Sequence, residues 1–138
     1  MTDAVFLDSG IFIAFLDASD DLHEDAVAQL AAPPRKWFTS IPVVAESYGW
    51  FLHRLGEDAA RTFRALVSEL PALQLLPADA RHHAAVLRKL DALRGCKLTY
   101  VDASSLVFLA ERKIGVVWGT DHHLGLEGAT VRPGAPTP

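Results

Sequence analysis

Apolar residues along the chain fall into two rhythms. Ala4-Val5-Phe6-Leu7 is an unbroken apolar run that stops at Asp8-Ser9-Gly10. A short run bounded by a polar turn suits a strand buried on both faces. Trp37-Phe38-Thr39, residues 72–76 and Val116-Val117-Trp118-Gly119 are further strand candidates. Between them the period lengthens to that of a helix. Residues 11–17 allow one or two helical turns. In residues 20–32, Leu22, Ala26, Val27 and Leu30 share one face. Asp20, Asp21, Glu24 and Asp25 crowd the first turns, where the helix dipole favours them, and Pro33-Pro34 end the helix. Ser40 is placed to cap the next helix, with Pro42 in its first turn and Gly56 as its stop after Leu55. Residues 57–70 form another helix, closed by Pro71, and residues 77–93 one more, with Gly95 beyond it. The last helix, residues 99–113, is rich in Ala and Leu and is ended by Ile114-Gly115.

Short apolar strands alternating with helices predict an α/β domain, three layers deep, with a mainly parallel central sheet and helices on both faces. Right-handed crossovers then bring the carboxyl ends of the strands to one edge, where ligands bind in such folds. There is no internal repeat or interior linker. Residues 1–132 read as a single domain and residues 133–138 as a Pro-rich flexible tail.

Composition narrows the class. A chain of 138 residues, 50% hydrophobic and 22% charged, has the material for one folded domain. The single cysteine, Cys96, excludes an internal disulfide framework and a thiolate zinc site. The N-terminus lacks a basic segment followed by an apolar run, and no stretch approaches the roughly 20 apolar residues of a membrane span. A soluble protein of a reducing cytoplasm, without a membrane, is the expectation. The net charge of −4 argues against a simple electrostatic nucleic-acid binder. It leaves a nuclease open, because carboxylates holding a divalent cation reverse the local field.

Candidate chemistry lies in four acidic residues. Asp8 and Asp121 each follow a strand, where an aspartate points into the ligand crevice. Glu46 lies about a turn into the helix opened by Ser40, and Asp102 in the first turn after Thr99. If those helices begin at the same sheet edge, all four carboxylates face one volume. Their mutual repulsion would raise at least one pKa, and a hard divalent cation would relieve it. Taken singly, each has a plainer role. Asp8 and Asp121 suit turns or caps, Thr99-x-x-Asp102 has the form of a capping box, and Glu46 suits a solvent face. The case rests on their combination and order.

Val5-Phe6-Leu7-Asp8-Ser9-Gly10-Ile11-Phe12-Ile13-Ala14 resembles the opening of PIN-domain nucleases. Thr39-Ser40-Ile41-Pro42-Val43-Val44-Ala45-Glu46 resembles that family's second block, and Leu98-Thr99-Tyr100-Val101-Asp102-Ala103 its third. Val117-Trp118-Gly119-Thr120-Asp121-His122-His123-Leu124 resembles its last. The blocks occur in family order, and the size and layout most resemble the toxin half of bacterial VapBC toxin–antitoxin pairs. The resemblance implies a metal-dependent endoribonuclease using Mg2+, or Mn2+. It implies Asp8, Glu46, Asp102 and Asp121 as the metal-binding and catalytic carboxylates, with Thr120 and, less directly, Ser9 as hydroxyl partners. It also implies an RNA substrate, a small antitoxin and homodimerisation. Trp118-Gly119 stands where the family usually has small or β-branched residues, and a tryptophan there would reshape the pocket mouth.

Other features carry weaker signals. His122-His123 adjoins Asp121, but histidine suits zinc better than magnesium and adjacent histidines in a loop usually face different directions; a non-functional role is the favoured reading, with phosphate contact the leading functional one. His82-His83 reads as a surface pair. Arg54, Arg61 and Arg64, and Arg81, Arg88, Lys89 and Arg94, form groups that suit a solvated face or an RNA backbone. Tyr48, Trp50 and Phe51 suit core packing, or a dimer or antitoxin groove. Two other enzyme classes fit poorly: an aspartyl phosphatase needs a second aspartate where Gly10 stands, and a phosphoacceptor domain needs a late lysine where Thr120-Asp121 stands. A catalytically silent PIN-fold module that binds RNA or protein, or a PIN nuclease outside toxin–antitoxin systems, is the alternative; a silent module predicts gaps in the acidic set, and the set is complete.

Overall fold

In the computed structural model, which describes residues 3–134, strand β1 (Ala4–Leu7) is the middle of the sheet. Its Val5, Phe6 and Leu7 have no exposed surface, as an unbroken apolar run buried on both faces requires. The remaining strands are β2 (Lys36–Ser40), β3 (Gln74–Leu76), β4 (Val116–Gly119) and β5 (Thr130–Pro133). The order is β3-β2-β1-β4-β5 and every pairing is parallel.

Among the described residues six helices surround this sheet: α1 (Ser9–Leu16), α2 (His23–Leu30), α3 (Ile41–Leu55), α4 (Glu57–Glu69), α5 (Ala80–Ala92) and α6 (Tyr100–Arg112). Strand alternation separates the two faces. Phe6 stacks on Phe108 of α6, and its cross-strand partner Phe38 lies beneath the Arg112 guanidinium. On the opposite face Trp37 donates its indole N–H to Pro71 at the end of α4 and meets Trp118 edge to face. Phe12, Phe51 and Phe63 join α1, α3 and α4 in the same layer. The result is three layers, helix–sheet–helix.

The chain leaves β1 toward β2 on one side and returns to β4 on the other, so strand order reverses at β1. In an open parallel sheet that reversal creates a crevice at the strands' carboxyl ends. Two elements differ from the sequence expectations. β5 takes in Arg132 and Pro133, so the strand ladder runs into the expected tail, Gly134 N–H still bonding Gly119 C=O at 3.0 Å; residues 135–138 lie outside the described residues. Trp118 is buried against Trp37 in the core, so it does not shape the pocket mouth.

Candidate metal centre at the sheet's carboxyl edge

Asp8 follows β1 directly, and its backbone N–H continues the ladder to Trp118 C=O at 2.9 Å. It occupies the N-cap position of α1 yet makes no side-chain capping bond. Its carboxylate is therefore not committed to a helix cap, although the residue is only 4% exposed. Room for it comes from Gly119: a Cβ there would lie 3.0 Å from Asp8 Cβ. Glycine is thus needed at the very place where bulk had been expected to matter.

Glu46 stands on the exposed rim of the crevice, where Ser9 Oγ donates to its Oε1 at 2.9 Å. Ser40 caps α3 by accepting from Val43 N–H, and this fixes the helix that carries Glu46. Asp102 is buried at the start of α6. There the capping box is complete: Thr99 Oγ accepts from Asp102 N–H at 3.1 Å, and Asp102 Oδ2 accepts from Thr99 N–H at 3.2 Å. Asp102 thus holds a cap while facing its acidic neighbours. Asp121 follows β4 and accepts from His123 N–H at 2.9 Å. Thr120 packs against the backbone of Gly10, whose missing side chain makes the approach possible.

The electrostatics show how closely these groups face one another. Burial pushes the Asp8 carboxyl up to about 7, and the charges of Glu46, Asp102 and Asp121 add to it against a hydrogen bond from Ser9 N–H. Burial also raises Glu46, opposed by the Ser9 hydroxyl and reinforced by Asp102 and Asp121. Asp102 is raised by burial and by Asp121, against its bond from Thr99 N–H. Among the described residues no lysine or arginine forms an ion pair with any of the four. Hard oxygen donors crowded without a counter-charge are the donor set that a hydrated divalent cation satisfies.

The histidines are placed differently from expectation. Both rings turn to Asp121: Nδ1 of His123 lies 3.0 Å and Nδ1 of His122 3.9 Å from Asp121 Oδ1. His123 Nδ1 is also 3.7 Å from Asp102 Oδ2, so this ring sits between two of the carboxylates. The cause is local. The 3₁₀ turn over His122–Gly125 winds tightly around the Asp121 cap and brings the two ring centroids to 4.3 Å. A 3₁₀ turn is too short to announce itself by periodicity, although Asp121 two residues before His123 is a recognisable turn signal.

His82 is a second correction. It is 6% exposed, stacked on Phe108 at 4.1 Å, with Nε2 bonded to Ser104 Oγ at 2.7 Å; burial lowers its pKa. His83 is exposed and contacts the Tyr100 hydroxyl. Of the arginines, Arg81 and Arg88 line a cavity of about 700 Å³ beside α5 and α6, together with Arg112, Phe38 and Phe108. Lys89 pairs with Glu127 instead. Phe51 is a core residue, whereas Trp50 and Tyr48 are half-buried and Trp50 carries the Arg54 guanidinium over its ring.

A doubly wound parallel sheet with carboxylates gathered at its reversal point defines the class, and sequence comparison names it. The chain matches the PIN domain over residues 5–125 and belongs to that family. Its fold is similar to that of the Mycobacterium tuberculosis VapC20 toxin, described as cleaving the sarcin–ricin loop (TM-score 0.84, 21% identity, 91% of this chain and 96% of that one). It is also similar to VapBC2 of Rickettsia felis, solved bound to a promoter DNA fragment (0.68, 11%, 96% and 99%). A third neighbour is FitAcB of Neisseria gonorrhoeae (0.66, 18%, 92% and 95%). No curated protein matches in sequence.

Proposed function

We propose that the protein is a divalent-metal-dependent endoribonuclease and the toxin of a type II toxin–antitoxin pair. The observation that carries this reading is the convergence of Asp8, Glu46, Asp102 and Asp121, with no lysine or arginine paired to any of them among the described residues. Asp8, Asp102 and Asp121 would hold Mg2+ or Mn2+, with Glu46 at the rim. Such an ion, when bound, acidifies water and stabilises the charge that develops on a phosphodiester.

The chain's own groups divide the remaining work. Buried Asp8 and capped Asp102 are held rigidly, so they present oxygens at fixed positions. Glu46 is exposed, is raised in pKa and is oriented by Ser9, which suits it to accept a proton from the attacking water. Thr120 braces the wall beside Asp121 through its contact with Gly10.

RNA is favoured as substrate by the family and by the fold shared with a toxin that cleaves the sarcin–ricin loop. An antitoxin partner is supported by fold neighbours drawn from a VapBC complex and from FitAcB. A cytoplasmic location follows from an RNA substrate; among the described residues no helix is long and apolar enough to cross a membrane.

The test is cleavage of a ribosomal RNA fragment by purified protein with Mg2+, with Mn2+ and with EDTA, alongside D8N and D102N. Metal-dependent cleavage lost in both variants is the expected result. RNA binding without turnover in either metal would mark a silent binding module instead.

A further inference from the structure

The two histidines beside Asp121 offer donors that a magnesium centre does not use. One ring nitrogen of His122, one of His123 and an Asp121 carboxylate oxygen all lie within 4.8 Å of one another. A tetrahedral ion with bonds of about 2.0–2.1 Å holds its ligand atoms roughly 3.3 Å apart. The separations from Asp121 Oδ1, 3.0 Å and 3.9 Å, bracket that value before any adjustment. The two rings lie side by side, their centroids 4.3 Å apart, and the Nδ1 atom of each lies within 4 Å of Asp121 Oδ1. His122 has nothing else to hold it: its side chain is 79% exposed and makes no other polar contact among the described residues.

We propose that Asp121, His122 and His123 form a site for a borderline transition-metal ion of the Zn2+ type. Two imidazole nitrogens and one carboxylate oxygen are a donor set that zinc accepts readily, with its fourth position left to solvent. Magnesium demands oxygen donors and octahedral geometry, so it competes poorly there. The site is distinct in its donors from the carboxylate centre but shares Asp121 with it. On the reading of the protein as a magnesium-dependent nuclease, zinc therefore inhibits, because it takes Asp121 out of the acidic set.

Binding and inhibition are tested separately. Metal-free full-length protein titrated with Co2+ is expected to develop the intense visible band of a four-coordinate site, which Zn2+ abolishes and excess Mg2+ does not. Outer-sphere partners alone alter metal affinity by roughly 10–100-fold, so loss of a ligand in His122→Asn or His123→Asn is expected to weaken Co2+ and Zn2+ binding at least that much. His122→Asn is the decisive variant, because so exposed a side chain can change without disturbing the fold; circular dichroism verifies this. Equal binding by the wild type and His122→Asn, or a weak octahedral spectrum, would overturn the site. In the cleavage assay, zinc is expected to inhibit the wild type at concentrations at least tenfold below those needed for His122→Asn. If no RNA is cut in Mg2+, the nuclease reading fails, while the Co2+ spectrum still decides the zinc site.

Discussion

An ionised Asp8 is costly to the folded chain, and the direction of that cost is testable. Its carboxyl rises from 3.8 to about 7 because it is buried among other carboxylates. Between those pH values the folded chain holds a proton that the unfolded chain has released. Stability of the metal-free protein therefore declines as pH climbs through this window, and the penalty is complete above about pH 7. A rise of this size corresponds to roughly 4 kcal/mol. Glu46 and Asp102, also raised, push in the same direction. In EDTA the melting temperature should be lower at pH 8 than at pH 5, with Mg2+ restoring more at pH 8; a rise from pH 5 to 8 would contradict it. Asp8→Asn removes the charge with little change of shape. The variant is expected to lose cleavage yet to melt higher than the wild type in EDTA at pH 8. A merely misfolded protein could not show both.

Helix ends and close backbone contacts position these residues, and they can be tested one element at a time. Thr99→Ala removes half of the capping box on α6 and should cost about 1 kcal/mol in urea denaturation. Cleavage should fall only modestly, because the backbone N–H of residue 99 still holds Asp102 Oδ2. Gly119→Ala drives a methyl group against Asp8, so kcat is expected to fall sharply. Gly49→Ala, in α3 where a Cβ meets nothing within 4 Å, should instead stabilise by about 0.5–1 kcal/mol and leave cleavage unchanged. The same elements explain what could be read in advance. β1, β4, α3, α4 and α6 were legible because apolar runs, Ser40, Gly56 and Thr99 mark them locally. Asp8 and Asp121 were legible from their strand-end positions. β5 was not: Thr130–Pro133 is half-exposed and ends in proline, so its pairing with β4 is a tertiary fact. His82 was hidden for a similar reason, since only the packing of α5 on α6 brings Phe108 and Ser104 to it. The direction of the His122 and His123 rings depended on a 3₁₀ turn without a periodic signature.

At the scale of the molecule, the sheet joins parts of the chain that are far apart in sequence. Asp8 and Glu46 come from its first third, Asp102 and Asp121 from its last. β1 has β2 on one side and β4 on the other, and α6 completes the layer beneath Phe6. A chain cut after residue 113 would lack β4 and β5 and leave one edge of β1 unpaired. Expressed alone, such a fragment is expected to aggregate and to show no cooperative unfolding transition in calorimetry. This strand order also sets a timetable. During synthesis β1 waits for β4, so the four carboxylates come together only after Asp121 has been made. On the proposed reading, a product that stops short of β4 lacks Asp121 and is expected to be inert in the cleavage assay.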